Sequence, residues 1–343
     1  MRKYIITFVI IYLCLSFVGI DIKVSGAEKT GISVTMFDIG QGDSLLIQVN
    51  EIVIMVDTGE KNNYDFLKQQ LDYYEIERVD MLIISHMDTD HMGAAQLVIQ
   101  EYNVPKVLMP STPGKSMEYY NLMNYLDREE IETIYVKNGD KYSFGKKCVI
   151  NILGADIGDG TNDSSIVMRL KYYKNTFLFT GDASATVLNR IMEDGQNVKA
   201  DVLKVPHHGS DSSSPILFLK KTESKYSLIS VGRENAYGHP TDNVIRRLTK
   251  FDSKILRTDK DGTVTIYGDG KKIYYNCEQI IDWGSEVKAK EQVISGNIIG
   301  NKNSKVYHDS DCSSLPMEKN RVYFSSSEEA ENAGYRKCGR CGG

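Results

Sequence analysis

The stretch ISHMDTDHMGAA, residues 84–95, decides how this chain is read. It sets Ser85, His86, Asp88, Asp90 and His91 directly after the apolar run VDMLII of residues 79–84. Two of these are histidines in a chain that has only six. A short apolar run of this kind reads as a buried strand. The turn at its end can point His86 and Asp88 to one side and Asp90 and His91 to another. Zinc accepts both His nitrogen and Asp oxygen, so one loop could serve two divalent ions. A plain helix N-terminus, with Asp88 or Asp90 as cap and His91 in solvent, would use the same letters.

Three more strand ends favour the metal reading. FLFTGDAS, residues 177–184, closes an apolar strand on Asp182, a carboxylate able to bridge two cations. DVLKVPHHGSDSSS, residues 201–214, leaves a buried strand through His207 and His208 into a serine-rich loop. ISVGRENAYGHPTD, residues 229–242, carries His239. Five of the six histidines therefore fall in three strand-end loops, where α/β architectures gather their sites.

Around these loops the pattern is many strands with helices between them. Residues 31–58 alternate in β fashion, broken by turns at GQGD and VNE. Tyr64, Leu67, Leu71 and Tyr74 repeat at helical spacing and predict a helix over 63–78. Further strands are expected at 106–110, 133–137, 148–153, 165–173, 176–182, 200–208, 226–232, 254–259 and 262–269. Helices are expected from about 93 and near 116–129, 184–195 and 242–252. Tyr119, Tyr120, Leu122, Met123 and Tyr125 read as core. Residues 283–302 lack a core pattern and read as a linker.

The first 27 residues read as an export signal. Arg2 and Lys3 precede an apolar core from Tyr4 to Ile20, and SGA precedes Glu28 as a small-residue cleavage site. No stable membrane span is expected after cleavage, and the product is expected to be secreted or attached to the cell surface. Loss of 1–27 removes three basic residues and one acidic one, leaving a formal net charge of −7. An acidic net charge does not fit a nonspecific phosphate-backbone binder, which needs many Lys and Arg contacts, and leaves room only for a local basic face. Five cysteines then remain, three of them in the last 32 residues, which is not a distributed disulfide framework.

The segments FDIGQGDSLLIQ, VDTG, SHMDTDHMGA, FLFTGD, LKVPHHGSDSSS and ISVGRENAYGHP occur in that order. Together they resemble the metallo-β-lactamase-fold hydrolases, in particular the metallohydrolase domain of the ComEC/Rec2 competence proteins. The resemblance covers residues 31–282. It implies an α+β chain folded as a four-layer αβ/βα sandwich with two metal ions at one edge, zinc first and manganese second. It implies that His86 and Asp88 hold the first ion and that Asp90, His91 and His208 hold the second. Asp182 would bridge them, leaving His207 and His239, with Asp90, to act on the phosphate. Which of His207 and His208 faces the metal stays open. The further first-site histidine common in the family is missing, and Asn162 or Asp163 stands in its place. Asp43 and Asp57 are read either as ligand-orienting residues or as turn residues.

The tail, residues 303–343, pairs His308 with Cys312 and Cys338 with Cys341. Two close pairs of N/S donors match a structural tetrahedral zinc site. A module this small also gains from a metal, because its core is small. A disulfide from Cys312 to Cys338 or Cys341 is the alternative. FSSSEEAENAGYRKCGRC resembles the Ada-type metal-binding module, with His308 where that family has its first cysteine. The combined expectation is an exported hydrolase of phosphodiesters, with DNA as substrate. Wall or phosphorylcholine-type esters are the alternative, and a noncatalytic DNA-binding protein is the third reading. The sequence leaves the oligomeric state open.

Overall fold

The computed structural model describes residues 31–145, 147–277, 298–309, 312, 315–316, 320–324 and 327–339. The expected export signal and Cys341 lie outside the described residues.

Two sheets form the main body. The first has eight strands in the order β15-β14-β1-β2-β3-β4-β5-β6. These are β1 Ile32–Met36, β2 Leu45–Val49, β3 Ile52–Val56, β4 Met81–Ile83, β5 Lys106–Met109, β6 Glu132–Tyr135, β14 Val264–Gly268 and β15 Ile273–Cys277. The second has seven, in the order β13-β12-β11-β10-β9-β8-β7. These are β7 Lys141–Phe144, β8 Cys148–Gly154, β9 Val167–Tyr172, β10 Asn175–Phe179, β11 Val202–Lys204, β12 Tyr226–Ile229 and β13 Lys254–Arg257. Each sheet is antiparallel in one half and parallel in the other. β3, β4, β5 and β6 pair in parallel, as do β10, β11, β12 and β13.

Period-two alternation assigns each strand's side chains to two layers. Ile32, Val34, Met36, Leu45, Ile47, Ile54 and Ile83 face the other sheet and meet Ile150, Met168, Leu170, Phe177 and Leu228. Leu46, Met55 and Leu82, one residue out of step, face α1 Tyr64–Tyr73, α3 Ala95–Glu101 and α4 Met117–Arg128. On the far side, Val167, Leu178 and Leu203 pack on α5 Ala185–Glu193, α6 Ile216–Thr222 and α7 Asp242–Lys250. The result is the four-layer αβ/βα sandwich. Ser116 caps α4 by accepting from Tyr119 N at 3.1 Å.

Some expected boundaries differ. α1 ends at Tyr73 rather than running to 78, because Glu75 takes a left-handed backbone and Ile76 turns back onto Leu71 O. α6 and the edge strands β7 and β15 join the expected elements. Tyr120 is exposed, while Leu122 is buried and Met123 and Tyr125 pack against the core. Residues 298–301, read as linker, instead form β16 Ile298–Asn301. This strand pairs with β17 Val306–Asp309 and β18 Arg321–Phe324, and β19 Arg336–Lys337 completes a four-stranded sheet. Ile298 packs there with Tyr307, Phe324, Ala330 and Tyr335, which a linker reading of an isolated IIGN run cannot anticipate.

Candidate metal centre

The turn after β4 and the short helix α2 Thr89–Met92 carry the opening stretch. Asp57, at the exit of β3 with φ of 58°, organises it. Its carboxylate accepts from Ser85 N at 2.6 Å and from Ser85 Oγ at 2.7 Å, and meets His91 Nδ1 at 2.9 Å. Gly42 permits the neighbouring approach: its φ is 112°, and a Cβ there would collide with Asp90 O. Asp43 N then donates to that same carbonyl at 3.0 Å.

The ligand atoms fall into two trios sharing His91. His86, His91 and Asp182 offer atoms within 4.8 Å of one another, and so do Asp90, His91 and His208. His91 Nε2 lies 3.3 Å from Asp182 Oδ1, and His208 Nε2 lies 3.3 Å from Asp90 Oδ2 and 3.7 Å from Asp182 Oδ2. Tetrahedral donors at ~2.1 Å from an ion stand ~3.4 Å apart, so these spacings suit zinc. His86 Nε2, His91 Nε2, His208 Nε2 and Asp182 Oδ1 are buried without a hydrogen-bond partner. Orphaned buried polar atoms are costly, and these four, spread over the two trios, are explained by bound cations.

Protonation points the same way. Burial, then the neighbouring His91, pushes His86 down to about 3, leaving a neutral imidazole suited to ligation. Burial would also lower His91, yet Asp182, Asp57 and Asp90 together raise it well above its ordinary value. The cluster thus draws positive charge inward.

His207 and His208 differ although adjacent. Both take the left-handed backbone, with φ of 51°, in the 3-10 segment Pro206–Gly209. Backbone of this kind persists where its surroundings over-determine it, and it concentrates at functional sites. His208 is buried, with Nδ1 2.9 Å from Ser230 O and Nε2 in the second trio. His207 is 28% exposed, has Nδ1 3.2 Å from Ser213 Oγ, and points Nε2 toward Asp182 at 3.7 Å. His239 lies one ring further out, 5.6 Å from the His207 ring.

Asp88 Oδ2 stands 3.7 Å from His86 Nε2, and the side chain is 41% exposed in the cleft. Asn162 and Asp163 line the same cleft, of about 420 Å³, and Asp163 accepts from Ser184 N at 3.2 Å. A second cleft of about 620 Å³ reaches Thr112, Lys115 and Ser116 on the other side of Asp88.

Two residues here escape a reading of the sequence alone. Lys204 is buried, with Nζ 2.5 Å from Asp43 Oδ2 and 3.1 Å from Val205 O. Its signal was a lone lysine inside the apolar strand run VLKV. Asp156 ties the cleft together, accepting from Ser111 N and Oγ at 2.7 and 2.8 Å and from Thr112 N and Oγ1 at 3.0 and 2.7 Å. Burial raises its pKa, but these four bonds lower it further, to a net fall. A depressed carboxylate stabilises above its unfolded value of about 3.9 and loses that stability as pH falls through the folded value. Asp156→Ala is expected to cost about 1–2 kcal/mol, less than four charge-assisted bonds would sum to at a half-exposed site. In urea unfolding that difference should hold from pH 5 to 8 and shrink below about pH 4. A difference still full at pH 2 would contradict the assignment.

In the tail, His308, Cys312 and Cys338 offer atoms within 4.8 Å of one another, with His308 Nδ1 3.4 Å from Cys312 Sγ. Cys312 and Cys338 are not joined to each other as a disulfide.

The chain matches the metallo-beta-lactamase superfamily over residues 37–233. It belongs to that superfamily. Residues 286–342 match the metal binding domain of Ada. Over 274 residues the chain is 29% identical to ComE operon protein 3 of Bacillus subtilis (strain 168), covering 74% of this chain and 34% of that protein. Over 244 residues it is 28% identical to competence protein ComA of Neisseria gonorrhoeae, covering 68% of this chain and 32% of that protein. The chain spans about a third of the length of these curated relatives. Among solved structures, the metallo-beta-lactamase fold protein YhfI from Bacillus subtilis aligns with a TM-score of 0.48 and 16% identity, covering 71% of this chain and 100% of that one. The superfamily member described here is thus related to competence proteins and carries an Ada-like metal-binding module. Among the described residues, no helix is long and apolar enough to cross a membrane.

Proposed function

We propose that this chain is a dinuclear metal-dependent phosphodiesterase whose substrate is DNA. The observation that carries the reading is the pair of ligand trios meeting at His91 and opening onto two clefts. His86, with Asp88 beside it, and Asp182 would hold one ion; Asp90, His91 and His208 would hold the other, with zinc first and manganese second. Two such ions supply Lewis acidity to a phosphate diester and activate water near neutral pH. The chain's own part is positional. Asp57 fixes His91 through Nδ1, and the Ser230 carbonyl fixes His208 through Nδ1, so both Nε2 atoms face the centre. His207, held by Ser213, is placed to bind a phosphate oxygen or protonate the leaving oxygen. His239 stands beside it, ring centroids 5.6 Å apart, within reach of the same substrate.

DNA is favoured because one curated relative is named a competence protein and another a recombination protein. The export-signal reading of residues 1–27 puts the reaction outside the cell. The tail would take one structural zinc through His308, Cys312, Cys338 and Cys341. A second reading, a small or wall-derived phosphodiester, is favoured by the acidic lining of the first cleft, with Asp88, Asp159 and Asp163.

The purified chain loaded with zinc or manganese should be assayed on single-stranded DNA, double-stranded DNA and bis-p-nitrophenyl phosphate. Cleavage of DNA is expected. Cleavage of the small ester alone selects the second reading. DNA binding without cleavage of any substrate would leave the fold as a binding module.

A further inference from the structure

A file of three rings leads outward from Asp182. His207 Nε2 is 3.7 Å from Asp182 Oδ2, and the His239 ring follows at 5.6 Å from that of His207. The Tyr237 ring then stacks on His239, with centroids 6.0 Å apart and planes 22° from parallel. Tyr237 is 69% exposed, so most of its ring meets solvent. Isolated exposed aromatics are common and by themselves mean little. This one stands on a pinned loop. Asn235 Nδ2 donates to Gly232 O at 3.1 Å and to His239 O at 2.7 Å, and Asn235 Oδ1 accepts from His239 N at 3.0 Å. His239 Nδ1, between the tyrosine and the metal centre, is buried without a hydrogen-bond partner.

We propose that Tyr237 is a stacking platform for a nucleobase of the strand whose phosphate lies at the metal centre. This rests on the phosphodiesterase reading and makes Tyr237 a specificity residue for nucleic acid over base-free diesters. A flat ring fixed in place accepts any base, because every base has a π-face. Binding of a quaternary ammonium such as choline typically uses a cage of several aromatics, and here one ring is presented.

The test compares a labelled single-stranded thymidine oligonucleotide with an abasic oligonucleotide of equal length, using the metal-loaded full chain. For the wild type, kcat/KM is expected to favour the thymidine strand by about 5- to 150-fold, the equivalent of ~1–3 kcal/mol of base–aromatic stacking. Tyr237→Ala should bring that ratio toward one, mainly through KM on the thymidine strand. Tyr237→Phe should preserve it. If both strands are cut and the ratio is the same in wild type and Tyr237→Ala, the subsite is wrong and the hydrolase reading stands. If the wild type cuts neither strand with zinc or manganese, that reading fails and the subsite with it. If Tyr237→Ala instead abolishes a preference for p-nitrophenyl phosphorylcholine, the face belongs to an ammonium group and the nucleobase proposal is overturned.

Discussion

Asp182→Asn is expected to lower phosphodiester hydrolysis by more than 100-fold while leaving the fold intact. Asp182 reaches from its own trio toward the other: Oδ1 lies near His91, and Oδ2 lies near His208 and His207. Loss of a residue that only orients a ligand costs about 10–100-fold in metal affinity or activity, and loss of a shared ligand should cost more. Asparagine fills the same space, and the backbone bond from Asp182 N to Ser165 Oγ survives. It also removes a buried carboxylate that, against the cost of burial, His91 and His208 hold ionised, well below its ordinary pKa. The metal-free variant should therefore melt below the metal-free wild type near neutral pH while keeping the wild-type far-UV circular dichroism spectrum. Elemental analysis should show fewer bound ions per chain. Full activity with undiminished metal content would sink the dinuclear assignment.

Lys204→Met is expected to destabilise the metal-free protein by about 3–5 kcal/mol, the usual cost of stripping one partner from a buried ion pair. The Lys204 side chain is 1% exposed, and Asp43 is fully buried. Asp43 Oδ1 also lies 3.4 Å from His208 Nδ1, and Oδ2 lies 3.9 Å from His91 Nδ1. Without the ammonium, a carboxylate would be left inside the protein facing two ligand imidazoles. Methionine approximates the lysine stem in volume, so a cavity is not the cause. The double variant Lys204→Met/Asp43→Asn removes both charges and should recover most of the loss. Urea unfolding of the four proteins, metal-free, measures the coupling. A loss under 0.5 kcal/mol for Lys204→Met would show that the pair contributes little.

The same pair argues against a metal ion among Asp43, Asp57 and His91, whose ligand atoms also cluster. They meet on the Nδ1 side of His91, where Lys204 already supplies the positive charge.

Much of this molecule could be read before any coordinates. Ile32, Val34 and Met36 announce a strand by alternation, and Tyr64, Leu67 and Leu71 a helix by spacing, because both periods are properties of the local backbone. The metal-ligand candidates were legible because histidine and aspartate are chemically distinctive and fell at strand ends. Residues 216–222 were not legible as a helix, since ILFLKKT has no clear period in seven residues. Strand β16 was not, because its partners come from residues 306–309 and 321–324.

The sequence by itself determined the order of strand-end loops and the kind of atoms they carry. Tertiary structure alone decided which of two adjacent histidines turns inward. Two successive left-handed residues send His208 to the Ser230 carbonyl and His207 to the cleft. It also decided that Lys204 answers Asp43 across 161 positions, and that Tyr237 faces outward on a loop closed by Asn235. Backbone periodicity is local and survives in the letters. Burial and the direction of a single side chain depend on what the rest of the chain brings beside it.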